Sequence, residues 1–155
     1  MHTSVFLEEA VEQLSVQKGK KYIDATYGEG GHSHLIAQKG GLVMGIDADQ
    51  LQVEKAKDIK VVHGNFAEIA DIARNASWIP VSGVLFDFGL SMTQLQMHGK
   101  GLSYRSEEEI LDMRLFPSQE TQPAWEYVQT ASEDTLRKEL GAYSVDPLTD
   151  KVVKE

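Results

Sequence analysis

Tyr22-Ile23-Asp24-Ala25-Thr26-Tyr27-Gly28-Glu29-Gly30-Gly31-His32-Ser33 runs from an apolar stretch through a glycine-rich turn. Lys21–Thr26 has the character of a short strand, and a helix is predicted from His32 to Gln38. Gly40-Gly41 then stops that helix. Outward from this unit the pattern repeats. A strand is predicted over 42–46, closed by Asp47, and a helix over 51–57. A strand over 60–64 is followed by a helix over 66–76, with Ile69, Ile72, Ala73 and Ala76 on one face. Val81–Phe88 is a nearly continuous apolar strand. Residues 4–14 upstream read as a helix. Apolar strands alternating with helices predict an α/β fold with a parallel sheet covered on both faces. After Phe88 the pattern changes. Residues 89–120 read as loop, and helices are predicted over 122–130 and 133–140. Ser132 is the expected N-cap of the second, and Gly141 its stop.

The whole chain has 155 residues, 41% apolar and 25% charged, an ordinary globular composition. No run of 18 apolar residues marks a membrane span, and the first residues lack a signal-peptide pattern. There is no cysteine, which excludes disulfides, thiolate metal sites and a cysteine nucleophile. A cytoplasmic protein is expected. The net charge of -9 is uneven: residues 1–60 hold seven Lys/Arg against nine Asp/Glu, and residues 106–155 hold five against twelve. Nucleic-acid binders are basic where they touch phosphate, so the acidic last third is not expected to face a nucleic acid.

Glycines at 28, 30 and 31 let the backbone turn tightly and approach a ligand, and a following helix N-terminus favours a negative group. A triphosphate-binding loop needs Gly-Lys-Ser/Thr, which Gly31-His32 is not. A dinucleotide fold expects a third glycine where Ser33 stands, and an apolar strand end where Asp24 stands. S-adenosylmethionine offers an ammonium for an acid such as Asp24 and a carboxylate for the turn. A turn that needs glycine for geometry alone is the fourth reading. Asp47, 19 residues after Gly28, suits two ribose hydroxyls, as in NAD or S-adenosylmethionine. Asn65 and Phe66, past the third strand, are placed to bond an adenine edge and cover its face, although Phe66 equally suits helix packing. Asp87 ends an apolar strand, where a buried carboxylate needs partners. His32 and His34 are two residues apart and do not share a helix face, so no metal pair is expected.

These residues carry a family resemblance. The chain resembles the RsmH (MraW) family, bacterial methyltransferases that use S-adenosylmethionine to methylate N4 of a cytidine in 16S rRNA. The matching stretches are His2–Val11, Tyr22–Ser33, Gly45–Asp49, Val62–Phe66, Gly83–Ser91, Gln94-Leu95, Gly101–Arg105 and Leu111–Arg114. The resemblance implies a class I methyltransferase fold, Rossmann-like, with strand order 3-2-1-4. It implies cofactor contacts at Gly30, Gly31, His32, Asp47, Phe66, Asp87 and Gln94, to which Asp24 and Gly28 are added from the turn. Asp87 and Ser91 are the expected catalytic groups: an acceptor there bonds the cytosine amino hydrogens and localises the nitrogen lone pair. Lys100, Arg105 and Arg114 are the expected RNA phosphate contacts. The expected partners are 16S rRNA and the small ribosomal subunit, with no metal and no membrane.

Departures from the family lie mainly beyond strand 4. Gly89-Leu90-Ser91-Met92-Thr93-Gln94-Leu95-Gln96 stands for the usual Gly-Val-Ser-Ser-Pro-Gln-Leu-Asp, Ala48 for a basic residue, and Glu109-Ile110 for Gly-Pro. Family members are roughly twice as long. Residues 1–114 are therefore expected to be the N-terminal part of the cofactor-binding domain, and 115–155 the start of a helical substrate-recognition insertion. The sheet is expected to be incomplete, with Val84–Phe88 at its edge, as in a truncated product. A non-catalytic half-domain that binds the cofactor is the alternative, as is a methyltransferase with another substrate. An NAD-dependent oxidoreductase is disfavoured by Asp24 and Ser33.

Overall fold

The structure, a computed structural model, describes residues 6–89, 99–103, 108–114 and 121–143. The chain falls into two compact units, Met1–Met92 and Thr93–Glu155.

In the first unit the elements are α1 (Leu7–Gln13), β1 (Lys21–Asp24), α2 (Gly31–Gln38), β2 (Leu42–Asp47), α3 (Gln50–Lys55) and β3 (Lys60–His63). A 3₁₀ turn (Phe66–Glu68), α4 (Ile69–Asn75) and β4 (Gly83–Leu85) follow. The sheet is parallel throughout with order β3-β2-β1-β4, as expected from the Rossmann-like reading. Strand alternation divides the core between the two faces. On one side Val11, Tyr22, Ile36, Val43 and Leu85 pack with α1 and α2. On the other, Ile23, Ala25, Met44, Ile46 and Ala73 pack with α4. Tyr22, Ile23, Ile36, Met44 and Ile46 are at most 1% exposed. Burial of such side chains contributes about 1.5–3 kcal/mol each.

Two boundaries differ from the sequence reading. The predicted strand 81–88 is only Gly83–Leu85. Its partner β1 stops at Asp24, where the chain turns away, so the ladder closes with the Ala25 N–H donating to the Leu85 carbonyl (2.8 Å). Beyond that point the Asp87 N–H donates to the Thr26 hydroxyl (2.7 Å) instead of to a strand. The predicted helix 66–76 begins as the 3₁₀ turn, capped by the Asn65 side chain.

In the second unit α5 (Ala124–Thr130) and α6 (Glu133–Tyr143) are the described helices. The Ser132 hydroxyl accepts from the Thr135 N–H (3.2 Å), the cap expected there. Gly141 does not stop α6, which continues to Tyr143. The helix stop would need a left-handed glycine, and Gly141 does not take that conformation. Among the described residues no helix is long and apolar enough to cross a membrane.

Candidate functional site

Ligands of open parallel sheets bind beyond the carboxyl ends of the strands. At that rim the period-2 alternation places Asp24 and Asp47 on the α2 side, and Asp87, past the end of β4, comes within 4.0 Å of His32 in α2. Asp24 follows Tyr22 by two residues, and Asp47 follows Val43 by four. The surroundings of the three carboxylates differ sharply.

Asp24 is 0% exposed. Its carboxylate accepts from the Ser33 hydroxyl (2.7 Å) and the Thr26 N–H (3.3 Å). Burial raises its pKa, against the pull of those two hydrogen bonds. The sequence reading offered Asp24 to a ligand's ammonium. The structure shows it instead enclosed beneath the turn, tying β1 to α2. Ser33, read as a departure from a third glycine, is its buried partner.

Asp47 is 7% exposed and joins β2 to the turn: Oδ2 accepts from the Gly28 N–H (2.6 Å) and Oδ1 from the Asp49 N–H (2.7 Å). Burial raises its pKa as well, with those N–H groups opposing. Each carboxylate oxygen has a second lone pair, so two further donors can be accepted.

Asp87 was expected to be buried. With β4 ending at Leu85, its side chain is 47% exposed, and Oδ2 lies 4.0 Å from His32 Nδ1. His32 is 4% exposed, and its buried Nε2 has no hydrogen-bond partner among the described residues. An orphaned buried Nε2, on a ring whose Nδ1 lies near an open carboxylate, is a polar site in want of a donor or acceptor.

Gly30 serves the protein itself. Its φ is +79°, and an added Cβ would lie 2.6–2.8 Å from Oη, Cζ and Cε2 of Tyr27. A Cβ on Gly45, in the middle of β2, would lie 2.7–3.1 Å from the other end of that ring. Tyr27 is thus clasped between two glycines, a role the sequence reading did not assign. Gly31 is the first residue of α2.

Beyond the carboxyl ends of β3 and β4 lies an aromatic cluster. Phe66 meets Phe86 edge-on (5.9 Å between centroids) and Phe88 at a tilt (5.5 Å), and Phe86 stacks on Phe88 (5.4 Å). Phe66 follows β3 and the other two follow β4, so the cluster bridges the ends of the two outer strands. All three rings are exposed, Phe88 by 72%. Asn65 spends its carbonyl oxygen on the Ala67 N–H (2.9 Å).

In the second unit Arg114 is engaged. It bonds both oxygens of Asp112 (2.6 and 2.9 Å) and donates to the Thr121 carbonyl (2.9 Å). The guanidinium holds the Asp112 carboxyl down at about 2. Met113 in the left-handed region, φ +59°, lets these i,i+2 side chains meet. Lys100 Nζ donates to the Arg114 carbonyl (2.9 Å). Two of the three residues expected to touch RNA phosphate are thus tied within their own unit. Arg105, Ser91 and Gln94 lie outside the described residues. No group of three metal-ligating side chains occurs among the described residues.

The chain is similar to proteins named ribosomal RNA small subunit methyltransferase H. It is 36% identical to that of Dehalococcoides mccartyi over 99% of this chain and 46% of the relative. The relative from Methylobacillus flagellatus is 34% identical over 99% of this chain and 50% of its own length. That from Desulfosudis oleivorans is 39% identical over 88% and 47%. The chain spans about half the length of these curated relatives. A solved putative methyltransferase from an antibiotic biosynthesis pathway of Anabaena variabilis aligns over 39% of this chain and 26% of its own at 19% identity. Its TM-score of 0.35 is too low to bear on the fold. The family model of the MraW methylases matches residues 1–155. By that match the chain belongs to the MraW methylase family.

Proposed function

We propose that the chain supplies the cofactor-binding part of an S-adenosylmethionine-dependent methyltransferase acting on N4 of a cytidine in 16S rRNA of the small ribosomal subunit. The observation that carries this reading is the rim itself. It holds Asp47, Asp87 and an exposed aromatic cluster, and the glycine turn lies between strand and helix. The relatives' names supply the substrate class. A ribosomal substrate implies action in the cytoplasm.

The residues fit the cofactor. The free lone pairs of Asp47 suit two ribose hydroxyls, and Phe66 with Phe88 offers ring faces to an adenine. The amide nitrogen of Asn65 is left for the adenine's edge. Asp87, not the enclosed Asp24, is the acid open to an ammonium or to the amino hydrogens of a cytosine. Asp24 acts from beneath by fixing Ser33 and the turn. His32 Nε2, with Gly28, Gly30 and Gly31 beside it, faces the amino-acid end. Ser91 and Gln94 keep the roles the resemblance implies.

S-adenosylmethionine supplies a sulfonium methyl, already a strong electrophile. The protein's part is positioning and exclusion of water, with Asp87 drawing the amino hydrogens so that the nitrogen lone pair points at the methyl. Titration calorimetry with S-adenosylhomocysteine and with NAD tests the cofactor. The demethylated product is expected to bind more tightly, and tighter NAD binding overturns the reading. Methyl transfer is tested with tritiated cofactor on undermethylated small subunits, comparing this chain with a full-length relative.

A further inference from the structure

Beside the glycine turn, α2 and α3 enclose a cleft of about 360 Å³, lined by Gly28 of that turn. It is lined by Tyr27, by His34 of α2 and by Gln52 of α3. Lys55, Lys57, Glu29 and Asp58 also line it. Gln52 is 3% exposed, yet its side-chain amide makes no hydrogen bond among the described residues. The hydroxyl of Tyr27, itself 7% exposed, also has no hydrogen-bond partner there. Neither group is sealed from solvent, so both open on the cleft, where a ligand can pair them. His34 Nδ1 lies 2.6 Å from the Gly30 carbonyl, which only accepts, so Nδ1 donates to it. Burial and the neighbouring carboxylates of Asp24, Asp58 and Asp47 raise the Tyr27 pKa, so its hydroxyl stays a donor at neutral pH.

We propose that this cleft takes one unstacked nucleotide of an RNA strand, its base edge on Gln52 and Tyr27 and its phosphate on Lys55 and Lys57. An amide presents a donor beside an acceptor, the complement of what a nucleobase edge presents. The volume lies at the small end of ligand clefts, which run from about 300 to 1,000 Å³. Glu29 and Asp58 repel phosphate, which leaves the two lysines as its partners. The RNA origin of the nucleotide rests on the methyltransferase reading above, whereas the cleft's chemistry does not.

The test is calorimetry of the full chain at fixed salt with cytidine 5′-monophosphate, inorganic phosphate and an unstructured RNA hexamer, each with and without saturating S-adenosylhomocysteine. The monophosphate and the hexamer are expected to bind equally well in both conditions, with phosphate at least about 10-fold weaker. Gln52→Leu and the double variant Lys55→Ala/Lys57→Ala are each expected to weaken them about 10-fold or more. Gln52→Leu should melt no lower than the parent, because it removes an unpaired amide, so lost binding is not lost folding. Should that variant not fold, the lysine double variant decides. Displacement of the monophosphate by S-adenosylhomocysteine overturns the proposal, as does unchanged binding in both variants, or phosphate binding as well as the nucleotide. Binding of the monophosphate without the hexamer overturns its RNA part. If the nucleotide binds and S-adenosylhomocysteine does not, the cofactor reading fails and the cleft stands.

Discussion

Replacing Gly30 by alanine separates a glycine kept for a ligand from one kept for the protein. Two costs arise in the structure. The first is conformational: φ is +79°, and an L-residue in the left-handed region costs about 1–2 kcal/mol. The second is steric. The new methyl would stand 2.6–2.8 Å from three atoms of Tyr27. That ring cannot retreat, because its root already lies against Gly45 in β2 and it is 7% exposed. Forcing a methyl into such a contact costs about 1–3 kcal/mol. The sum is about 2–5 kcal/mol, a large part of the roughly 5–15 kcal/mol that holds a typical domain together. Urea unfolding of the parent, Gly30→Ala, Tyr27→Ala and the double variant measures both components. In the Tyr27→Ala background only the conformational cost should remain, giving a coupling of about 1–3 kcal/mol. A Gly30→Ala cost that is the same with and without the tyrosine ring would refute the clasp. The glycine would then be required for its dihedral angle or for a ligand alone.

Asp24→Asn should flatten one component of the pH dependence. The carboxyl's pKa is raised by burial above its ordinary 3.8, so its full contribution is present below about 3.8 and is lost as pH climbs through the raised folded value. The variant's stability relative to the parent should therefore grow from pH 4 upward and then level off, as followed by urea melts; a constant difference would contradict the assignment. Asp47→Ala should weaken S-adenosylhomocysteine binding by about 1–3 kcal/mol in calorimetry, the scale of charge-assisted hydrogen bonds, and an unchanged affinity would remove Asp47 from the site. Asp87→Asn, made in a full-length relative at the aligned position, should lower methyl transfer by about 10²-fold, equivalent to about 2.7 kcal/mol. Because Asp87 is half exposed, its melting temperature should hardly move; unfolding with activity retained in the folded fraction would make it structural.

The α/β alternation and the strand–turn–helix unit at Tyr22–Ser33 were legible in the residues, and so was the placing of Asp47 at a strand end, whereas the strand order came from the family resemblance. The legible features are written in local periodicity or in spacing along the chain. The end of β4 was not legible. Val81–Phe88 is apolar throughout, but a strand lasts only as long as its neighbour, and β1 leaves the sheet at Asp24. That one boundary turned Asp87 from a buried carboxylate into an open one and brought Phe86 and Phe88 to Phe66. The pairing of Arg114 with Asp112 was also hidden, since it depends on the left-handed turn at Met113.

By itself the sequence determined which segments are strands and helices, and that the acids at 24, 47 and 87 share the carboxyl rim, because hydrophobic period and residue order fix these before any long-range contact forms. Only the tertiary structure decided which of those acids is sealed, which is tied to the turn and which is open. It alone revealed that the glycines at 30 and 45 make room for Tyr27, and that Gln52 faces a cleft. The physical reason is that exposure and pairing belong to space shared by segments far apart in the chain. A side chain's chemistry is set by what fills that space, which no stretch of sequence specifies alone.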